Sequence, residues 1–199
     1  MCLVEVENMN KPMPACATPV QDGMKVLTDS SKTIQSQRSV MEFLLANHPL
    51  DCPICDQGGE CELQDYSMGY GDGVSQYQQN KRSMVEEDLG ELIAPFMRRC
   101  IYCTRCVRFS EEIAGMPEIG GMGRGNATHI GTYLKKDIQS ELSGNMIDLC
   151  PVGALTSKPF QYTGRSWTFQ SYPGVAPHDA FGSHIFFNTL NKNNGQKQP

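Results

Sequence analysis

The sequence predicts an α+β fold made of several small modules. Leu3 to Glu7 alternates apolar and acidic residues, a pattern typical of a strand. Between residues 31 and 47 apolar side chains recur at nearly helical spacing, and His48-Pro49 predicts where that helix ends. Nine cysteines, most of them in closely spaced groups, are spread over the 199 residues. We therefore expect short strands and helices organised around cysteine sites rather than one large core.

Shorter elements are predicted on either side of that helix. Asp22-Gly23 lies between Pro19-Val20 and Val26-Leu27, an arrangement that indicates a β-hairpin. A loop rich in cysteine follows the helix, and a second, short helix is expected near residues 62–68. Residues 69–83 are rich in Gly, Gln, Asn and Ser and predict a surface loop.

The second half of the chain is less regular. Cys103 to Ala114 predicts a helix, which the following Gly115 would end. Residues 115–126 contain five glycines and predict a connection made of turns, followed by a strand within residues 127–136. From about Asn191 the chain is polar, and we expect it to be disordered.

Composition excludes several classes of function. The formal net charge of −5 does not favour binding to nucleic acid or to an anionic membrane surface. No apolar run approaches the ~20 residues that span a membrane, and residues 1–7 lack the basic and apolar regions of a signal peptide. An odd number of cysteines, most spaced as Cys-x-x-Cys, does not suit a disulfide framework. This spacing favours metal binding or redox activity in a reducing compartment.

Basic residues flank one cysteine group. Arg98 and Arg99 precede Cys100, and Arg105 and Arg108 lie on either side of the third cysteine of that group. These side chains could form a solvated or structural patch, or they could place positive charge beside an anionic cluster. The sequence leaves both interpretations open.

The same cysteine group predicts a [4Fe–4S] site. Cys100, Cys103 and Cys106 are spaced as Cys-x2-Cys-x2-Cys, and a distant Cys150 is followed directly by proline. In bacterial two-cluster ferredoxins such a triplet continues to a fourth cysteine, which ligates the other cluster. Here that position is occupied by Ser110.

The second triplet of a two-cluster ferredoxin is missing. Counting back from Cys150, its positions hold Ser140, Ser143 and Met146. The four thiolates that remain suit one [4Fe–4S] cluster. Four cysteines are also a common zinc set, but zinc sites usually pair two separate two-cysteine knuckles, so the triplet favours a cluster.

A second group offers one imidazole and three thiolates, from His48, Cys52, Cys55 and Cys61. Gly58-Gly59 gives the chain freedom to fold back so that the last cysteine can join the others. The imidazole alone could cap the preceding helix, but three cysteines would then lack a fourth ligand. The spacing is equally compatible with a [4Fe–4S] cluster and with a zinc ion held by three cysteines and one histidine.

Cys2 and Cys16 form an incomplete pair. They could be two buried thiols, which are common in protein cores. Alternatively, they could be the last two of four ligands of a [2Fe–2S] cluster, whose first two ligands would lie before residue 1.

Together these groups resemble the large, 75-kDa-type iron–sulfur subunit of NADH:quinone oxidoreductase, respiratory complex I. The resemblance rests on Met1 to Val20, His48 to Asp65, Cys100 to Ala114 and Gly123 to Phe160, and spans most of residues 1–160. It favours a [4Fe–4S] cluster, with His48 as a ligand, over zinc at the second group. The implied content is two [4Fe–4S] clusters.

The resemblance also implies a division into four regions. Residues 1–29 would be the C-terminal part of a β-grasp [2Fe–2S] ferredoxin domain, and 30–83 a small helical [4Fe–4S] module with one His and three Cys ligands. Residues 84–160 would be a ferredoxin-like [4Fe–4S] module, and 161–199 the start of a molybdopterin-oxidoreductase-like region with a polar tail. In that family two further cysteines precede the one matching Cys2. We therefore expect a chain truncated at both ends, whose [2Fe–2S] cluster does not assemble.

The implied function is electron transfer within NADH dehydrogenase, a proton-translocating complex. Electrons would pass from a flavin-containing, NADH-binding subunit through this chain's clusters towards quinone, with NADH and quinone bound by partner subunits. No residue here would be catalytic, and Asp51, Asp56 and Glu60 are interpreted as loop residues or acceptors near the ligands. Other peripheral-arm subunits are further implied partners. The implied location is peripheral, on the matrix side in mitochondria or the cytoplasmic face of the bacterial inner membrane, without membrane insertion.

Two alternatives stay open. Iron–sulfur subunits of NAD-linked hydrogenases and formate dehydrogenases share the same three modules, although the continuation Leu155 to Phe160 favours complex I. The other alternative is a structural zinc-binding interaction module without a redox role, which predicts a colourless protein.

Overall fold

A small antiparallel sheet opens the chain. The computed structural model describes residues 1–134, 136–191 and 197–198. Strand β1 (Leu3–Val6) lies between β2 (Met13–Pro14) and β3 (Val26–Leu27) and pairs with both. Val4 and Val6 are buried, so the apolar alternation that predicted β1 faces the interior.

The predicted hairpin is wrong in its pairing, although its turn is present. The Met24 N–H donates to the Gln21 carbonyl at 3.1 Å, and Gly23 takes a φ of 73° within this turn. However, β3 pairs with β1 rather than with Pro19-Val20. Proline lacks the N–H that a ladder requires, and the Val20 side chain is 91% exposed, so no burial stabilises a strand there.

Helix α1 (Ser31–Ala46) confirms the long predicted helix. The Ser30 side chain caps it by accepting a hydrogen bond from the Thr33 N–H at 3.2 Å. Thr33 is itself fully buried and ties the helix to the sheet: its Oγ1 accepts from the Glu5 N–H and donates to the Leu27 carbonyl, each at 3.0 Å. The helix ends before His48-Pro49, as expected.

The cysteine loop is followed by helix α2 (Glu62–Tyr70), which confirms the second predicted helix. Within the loop, Cys52–Ile54 forms one turn of 3-10 helix. From Gly71 to residue 83 the backbone is irregular and largely exposed, in agreement with the predicted surface loop.

The next module is built from two short antiparallel ladders and two helices. Its elements are β4 (Ile93–Pro95), α3 (Arg105–Arg108), β5 (Ile119–Met122), β6 (His129–Thr132), α4 (Asn145–Leu149) and β7 (Leu155–Ser157). Strand β4 pairs with β7, and β5 pairs with β6. Their shared core consists of Leu89, Ile93, Met97, Ile119, Ile130, Met146 and Leu155.

Two predictions for this module need correction. The helix expected from Cys103 begins at Arg105, because Thr104 takes a left-handed φ of 58°, and it continues from Phe109 to Ile113 as a π-helical turn. Residues 115–126 are not turns alone but include β5, whose Ile119 is buried in the core. The predicted strand at 127–136 is present in its first part as β6, and Lys135 lies outside the described residues.

A long hairpin closes the described chain. Strand β8 (Phe169–Val175) pairs with β9 (His184–Asn191), which also pairs with β10 (Lys197–Gln198). Most of the tail for which we predicted disorder lies outside the described residues, namely 192–196 and 199. Across the described ranges, no helix has the length and apolarity needed to cross a membrane.

Because the buried hydroxyl of Thr33 satisfies two partly buried backbone groups, we expect Thr33→Val to lower the free energy of unfolding by about 1–3 kcal/mol. Urea unfolding of the metal-free chain, followed by circular dichroism, would measure this. The control is Ser39→Ala, which removes an exposed hydroxyl from the same helix. It should change stability by no more than about 0.5 kcal/mol. Equal effects of the two substitutions would contradict this role of Thr33.

Candidate metal centres

Four thiols from two distant segments line one pocket. Cys100 follows the short 3-10 turn Met97–Arg99, and Cys103 lies two residues before α3. Cys106 is in the first turn of α3, and Cys150 caps the C-terminus of α4. All four border the same small pocket, with apolar walls from residues such as Val152 and Leu155. The structure therefore brings together the set that the sequence predicted.

The electrostatics of this pocket confirm that its thiols are close neighbours. Burial raises the pKa of Cys106 to about 12, and the neighbouring thiols of Cys150, Cys100 and Cys103 contribute to the rise. Burial also raises the pKa of Cys150, while the backbone N–H groups of residues 152, 154 and 155 act in the opposite direction. These N–H groups surround a sulfur that burial alone would keep protonated, and they would stabilise it as a thiolate ligand.

The positions of the missing ferredoxin triplet are filled by packing. Met146 is 1% exposed and belongs to the module core. Ser140 and Ser143 are also buried, and the Ser110 hydroxyl donates to the Met116 carbonyl. Hydroxyls and a thioether thus stand at the positions where the ligands of a second cluster would be.

The second predicted set lies where α1, the cysteine loop and α2 meet. His48 follows α1, Cys52 opens the 3-10 turn, and Cys61 immediately precedes α2. These three residues border one large pocket between the two helices. Cys55 is buried at the end of the 3-10 turn, and Gly59 adopts a φ of 95° where the loop turns back towards Cys61.

His48 has the properties of a ligand that is neutral at physiological pH. Burial lowers its pKa to about 4, and the positive charges of Lys81 and Arg99 contribute, against a smaller opposing effect of Asp51. Its buried Nδ1 atom has no hydrogen-bond partner among the described residues. A buried ring nitrogen without a partner, in a pocket that Cys52 and Cys61 also line, fits a metal ligand better than the simple helix-capping role.

The two sets share a wall, Pro151 to Ala154. The Cys61 Sγ lies 3.7 Å from the Pro151 carbonyl oxygen. A Cβ added to Gly153 would overlap the Cys55 Sγ, so only glycine allows this close approach. Val152 and Ala154 are nearly inaccessible and pack with Cys61 in one apolar cluster that Cys100 and Cys150 border.

Several residues around the second set were not identified from the sequence. The Arg165 guanidinium donates to the backbone carbonyls of Pro53 and Cys55, and the Trp167 ring occupies the space next to Gly59. No local sequence motif predicts these contacts, because they join positions more than a hundred residues apart. Asp51 is an acceptor, as expected: its Oδ2 binds Arg98 and Arg99, at 3.1 and 3.0 Å.

Cys2 and Cys16 lie at the same end of the β1–β2 ladder, where the Ala15 N–H donates to the Cys2 carbonyl at 2.8 Å. Both thiols are exposed. The interpretation that they are buried core thiols is therefore wrong, because both side chains are accessible to solvent. Their exposure is compatible with the alternative that they belong to a larger ligand set.

Neither cysteine group is arranged for a single ion. Within the described ranges no three or more His, Cys, Asp or Glu side chains are placed to hold one metal ion. The four thiols of the first set line one pocket. A multi-iron cluster binds its thiolates at separate irons, whereas structural zinc draws its four ligands to one point.

The short ladders and helices of these modules, together with the pocket lined by cysteines, define a ferredoxin-like iron–sulfur protein. Comparisons with protein families agree. Residues 1–31 match a 2Fe-2S iron-sulfur cluster binding domain. Residues 37–74 match the NADH-ubiquinone oxidoreductase-G iron-sulfur binding region. Residues 90–156 match the ferredoxin-like domain of NADH-quinone oxidoreductase subunit 3.

Individual relatives specify the family. The chain is 55% identical over 185 residues to the NADH-ubiquinone oxidoreductase 75 kDa subunit of Reclinomonas americana and 56% identical over 191 residues to the 78 kDa subunit of Neurospora crassa. It is 52% identical over 185 residues to an NADH-quinone oxidoreductase subunit of Rickettsia typhi. These alignments cover 93–95% of this chain and 26–27% of the relatives, so the chain spans about a quarter of their length. Over these residues the chain is homologous to the 75-kDa-type iron–sulfur subunit of NADH:quinone oxidoreductase.

A solved structure shares this fold. The chain superimposes with a TM-score of 0.72 on a chain from the NAD+-reducing [NiFe]-hydrogenase in the H2-reduced state, at 27% sequence identity. The match covers 82% of this chain and 70% of the hydrogenase chain. The three modules are therefore not restricted to complex I relatives.

Substitution of Gly153 should damage one site and spare the other. In Gly153→Ala the new methyl group would overlap the Cys55 Sγ, so we expect loss of about four of about eight irons in the reconstituted chain, with the four-cysteine site retained. Iron analysis and EPR would measure this. Gly144→Ala is the control, because nothing lies within 4 Å of its added Cβ. Full iron content in Gly153→Ala would contradict the packing argument.

Acid should destabilise the metal-free fold through His48. Because its folded pKa of about 4 lies below the ordinary 6.5, the unfolded chain takes up the proton first as pH falls. This contribution to stability is present above pH 6.5 and is lost as pH falls towards 4. We expect His48→Gln to weaken the decrease in urea midpoint between about pH 7 and pH 5. The substitution His178→Gln, at an exposed position, should leave the wild-type decrease unchanged.

Proposed function

We propose that this chain carries electrons through two [4Fe–4S] clusters. Cys100, Cys103, Cys106 and Cys150 would ligate one, and His48, Cys52, Cys55 and Cys61 the other. When bound, such clusters accept and pass on single electrons. The residues of the chain hold the two sites together, exclude water from the space between them and adjust how readily each accepts an electron.

The observation that carries this proposal is the shared wall between the two ligand sets. The segment Pro151 to Ala154 directs N–H groups at Cys150 on one side and contacts Cys55 and Cys61 on the other. Val152 and Ala154 are only 1% and 2% exposed, so their side chains exclude water from this wall. Two redox sites separated by a single layer of backbone suit direct electron transfer, whereas two structural zinc sites would gain nothing from this proximity.

Family membership suggests where the electrons come from and go. The relatives are subunits of enzymes named for oxidising NADH and reducing ubiquinone or quinone. We propose that a flavin-containing, NADH-binding subunit supplies the electrons and that they leave towards quinone through other peripheral-arm subunits. The chain itself would make no bond to either substrate. It would sit on the matrix side in mitochondria, or on the cytoplasmic face of the bacterial inner membrane, attached through the complex.

The first module belongs to the same proposal. Its three-stranded sheet with Cys2 and Cys16 at one end suits the C-terminal part of a β-grasp domain, and these thiols would be half of a [2Fe–2S] ligand set. The module boundaries stay as predicted: 1–29, 30–83, 84–160 and 161–199. The last would begin a molybdopterin-oxidoreductase-like region.

A second candidate function has one specific observation in its favour. The fold matches the NAD+-reducing [NiFe]-hydrogenase chain over 82% of this sequence. In that case the same two clusters would carry electrons between a nicotinamide site and a hydrogenase site on partner subunits. The sequence identity of 27% is about half of that to the complex I relatives, which makes this the weaker candidate.

Anaerobic reconstitution with iron and sulfide would test the electron-transfer proposal. We expect about eight irons per chain and the broad visible absorbance of cubane clusters. Cys106→Ala and Cys55→Ala should each remove about four irons, from different EPR signals. The matched control Cys16→Ala, at an exposed cysteine outside both sets, should keep about eight.

A colourless protein that takes up about two zinc ions and no iron would contradict electron transfer and leave a structural module. Loss of all iron in either single cysteine variant would contradict the assignment of two independent ligand sets.

A further inference from the structure

One buried charge lies outside both ligand sets. The Arg99 side chain is 1% exposed, and its guanidinium stacks on the Phe96 ring at 4.3 Å. Its Nε donates to the Asp51 carboxylate at 3.0 Å, and its Nη1 approaches the Gly153 carbonyl at 3.5 Å. The Nη2 atom is buried and has no hydrogen-bond partner among the described residues.

The position of Arg99 connects the two sites. It precedes Cys100 in the chain, its ion-pair partner Asp51 precedes Cys52, and its second acceptor lies in the wall that follows Cys150. A Cβ added to Gly153 would lie 3.8 Å from the Arg99 Cδ, and the atom nearest to that Cβ would be the Cys55 Sγ. One guanidinium therefore adjoins the backbone of both ligand sets.

Burial of this charge needs a physical reason. Moving a guanidinium out of water is strongly unfavourable, and one partly exposed carboxylate with a donor left unused offsets little of that penalty. A cluster ligated by thiolates is anionic, and one-electron reduction makes it more so. A fixed cation in the low-dielectric space beside two such clusters would be stabilised by both, and it would favour their reduced states.

We propose that Arg99 is an electrostatic tuning residue shared by the two clusters, which raises the reduction potential of each and eases their simultaneous reduction. The inference rests on the proposed function, since it requires clusters at both sets. In each step one cluster gains one electron from the reductant. No bond forms or breaks, and Arg99 stays protonated throughout.

The full chain carrying both clusters, titrated with dithionite and followed by EPR, would test this. In Arg99→Met both clusters should need a more negative potential for half-reduction than in the wild type. The matched control is Arg98→Met. Arg98 binds the same Asp51 oxygen, at 3.1 Å, but its side chain is 45% exposed and screened by water. The Arg98→Met substitution should therefore shift both potentials much less than Arg99→Met.

Two further variants separate charge from packing. Arg99→Lys keeps the charge and should restore much of the wild-type potential. Asp51→Asn removes the opposing negative charge and should shift both potentials in the positive direction, the opposite of Arg99→Met. If the ion pair had only a structural role, Arg99→Met and Asp51→Asn would shift the reduction potentials in the same direction, or they would change only the iron content.

Each outcome of these titrations either supports or overturns the role proposed for Arg99. Wild-type potentials in an iron-loaded Arg99→Met chain, or shifts equal to those of Arg98→Met, would overturn the inference. If Arg99→Met does not hold iron, Asp51→Asn and Arg99→Lys decide it, and the inference falls if Asp51→Asn shows no positive shift. Failure of the wild-type chain to bind iron would instead refute the proposed function, so the two failures are distinguishable.

Discussion

The wall from Pro151 to Ala154 is the constraint on which the rest of the structure depends. Its backbone N–H groups face Cys150, its glycine allows the Cys55 sulfur to approach, and its continuation into β7 completes the ladder with β4. A shift of this segment would therefore alter both ligand sets and the module core together. Because interiors are close-packed, the wall has few alternative positions, and the separation of the two sites is fixed by packing rather than by a flexible linker.

The arginines show how the modules are joined around that wall. Arg165 reaches from beyond the ferredoxin-like module to the carbonyls of the cysteine loop, and Arg105 at the start of α3 forms a bidentate pair with Glu62 at the start of α2. The second pair is exposed and contributes little free energy on its own. The pair nevertheless joins the start of α3 to the start of α2 by two hydrogen bonds. Neighbouring cluster sites require such orientation, because each ligand set takes its residues from several elements.

Local structure was largely predictable, and contacts between modules were not. The helical spacing of apolar residues in 31–47, the proline after His48 and the alternation in β1 are short-range signals, and α1 and β1 followed them. The pairing of β3 depended on the free edge of β1, and the late start of α3 on a left-handed Thr104, neither of which leaves a pattern in the sequence. Both cysteine groups were predicted from spacing, because most of their members lie close together in the chain. Gly153 and Arg165 were not identified, since each acts on a residue about a hundred positions away.

Thiol burial links folding to cluster binding. Burial raises the pKa values of Cys61, Cys100, Cys106 and Cys150, so the metal-free pocket favours neutral thiols at physiological pH. Ligation requires thiolates, so at the proposed sites iron would have to displace protons from sulfurs that are already withdrawn from water. The N–H groups around Cys61 and Cys150 lower the cost of forming these thiolates, and they would be donors to anionic sulfur in a loaded site. The same burial that disfavours the free thiolates would protect a bound cluster from solvent.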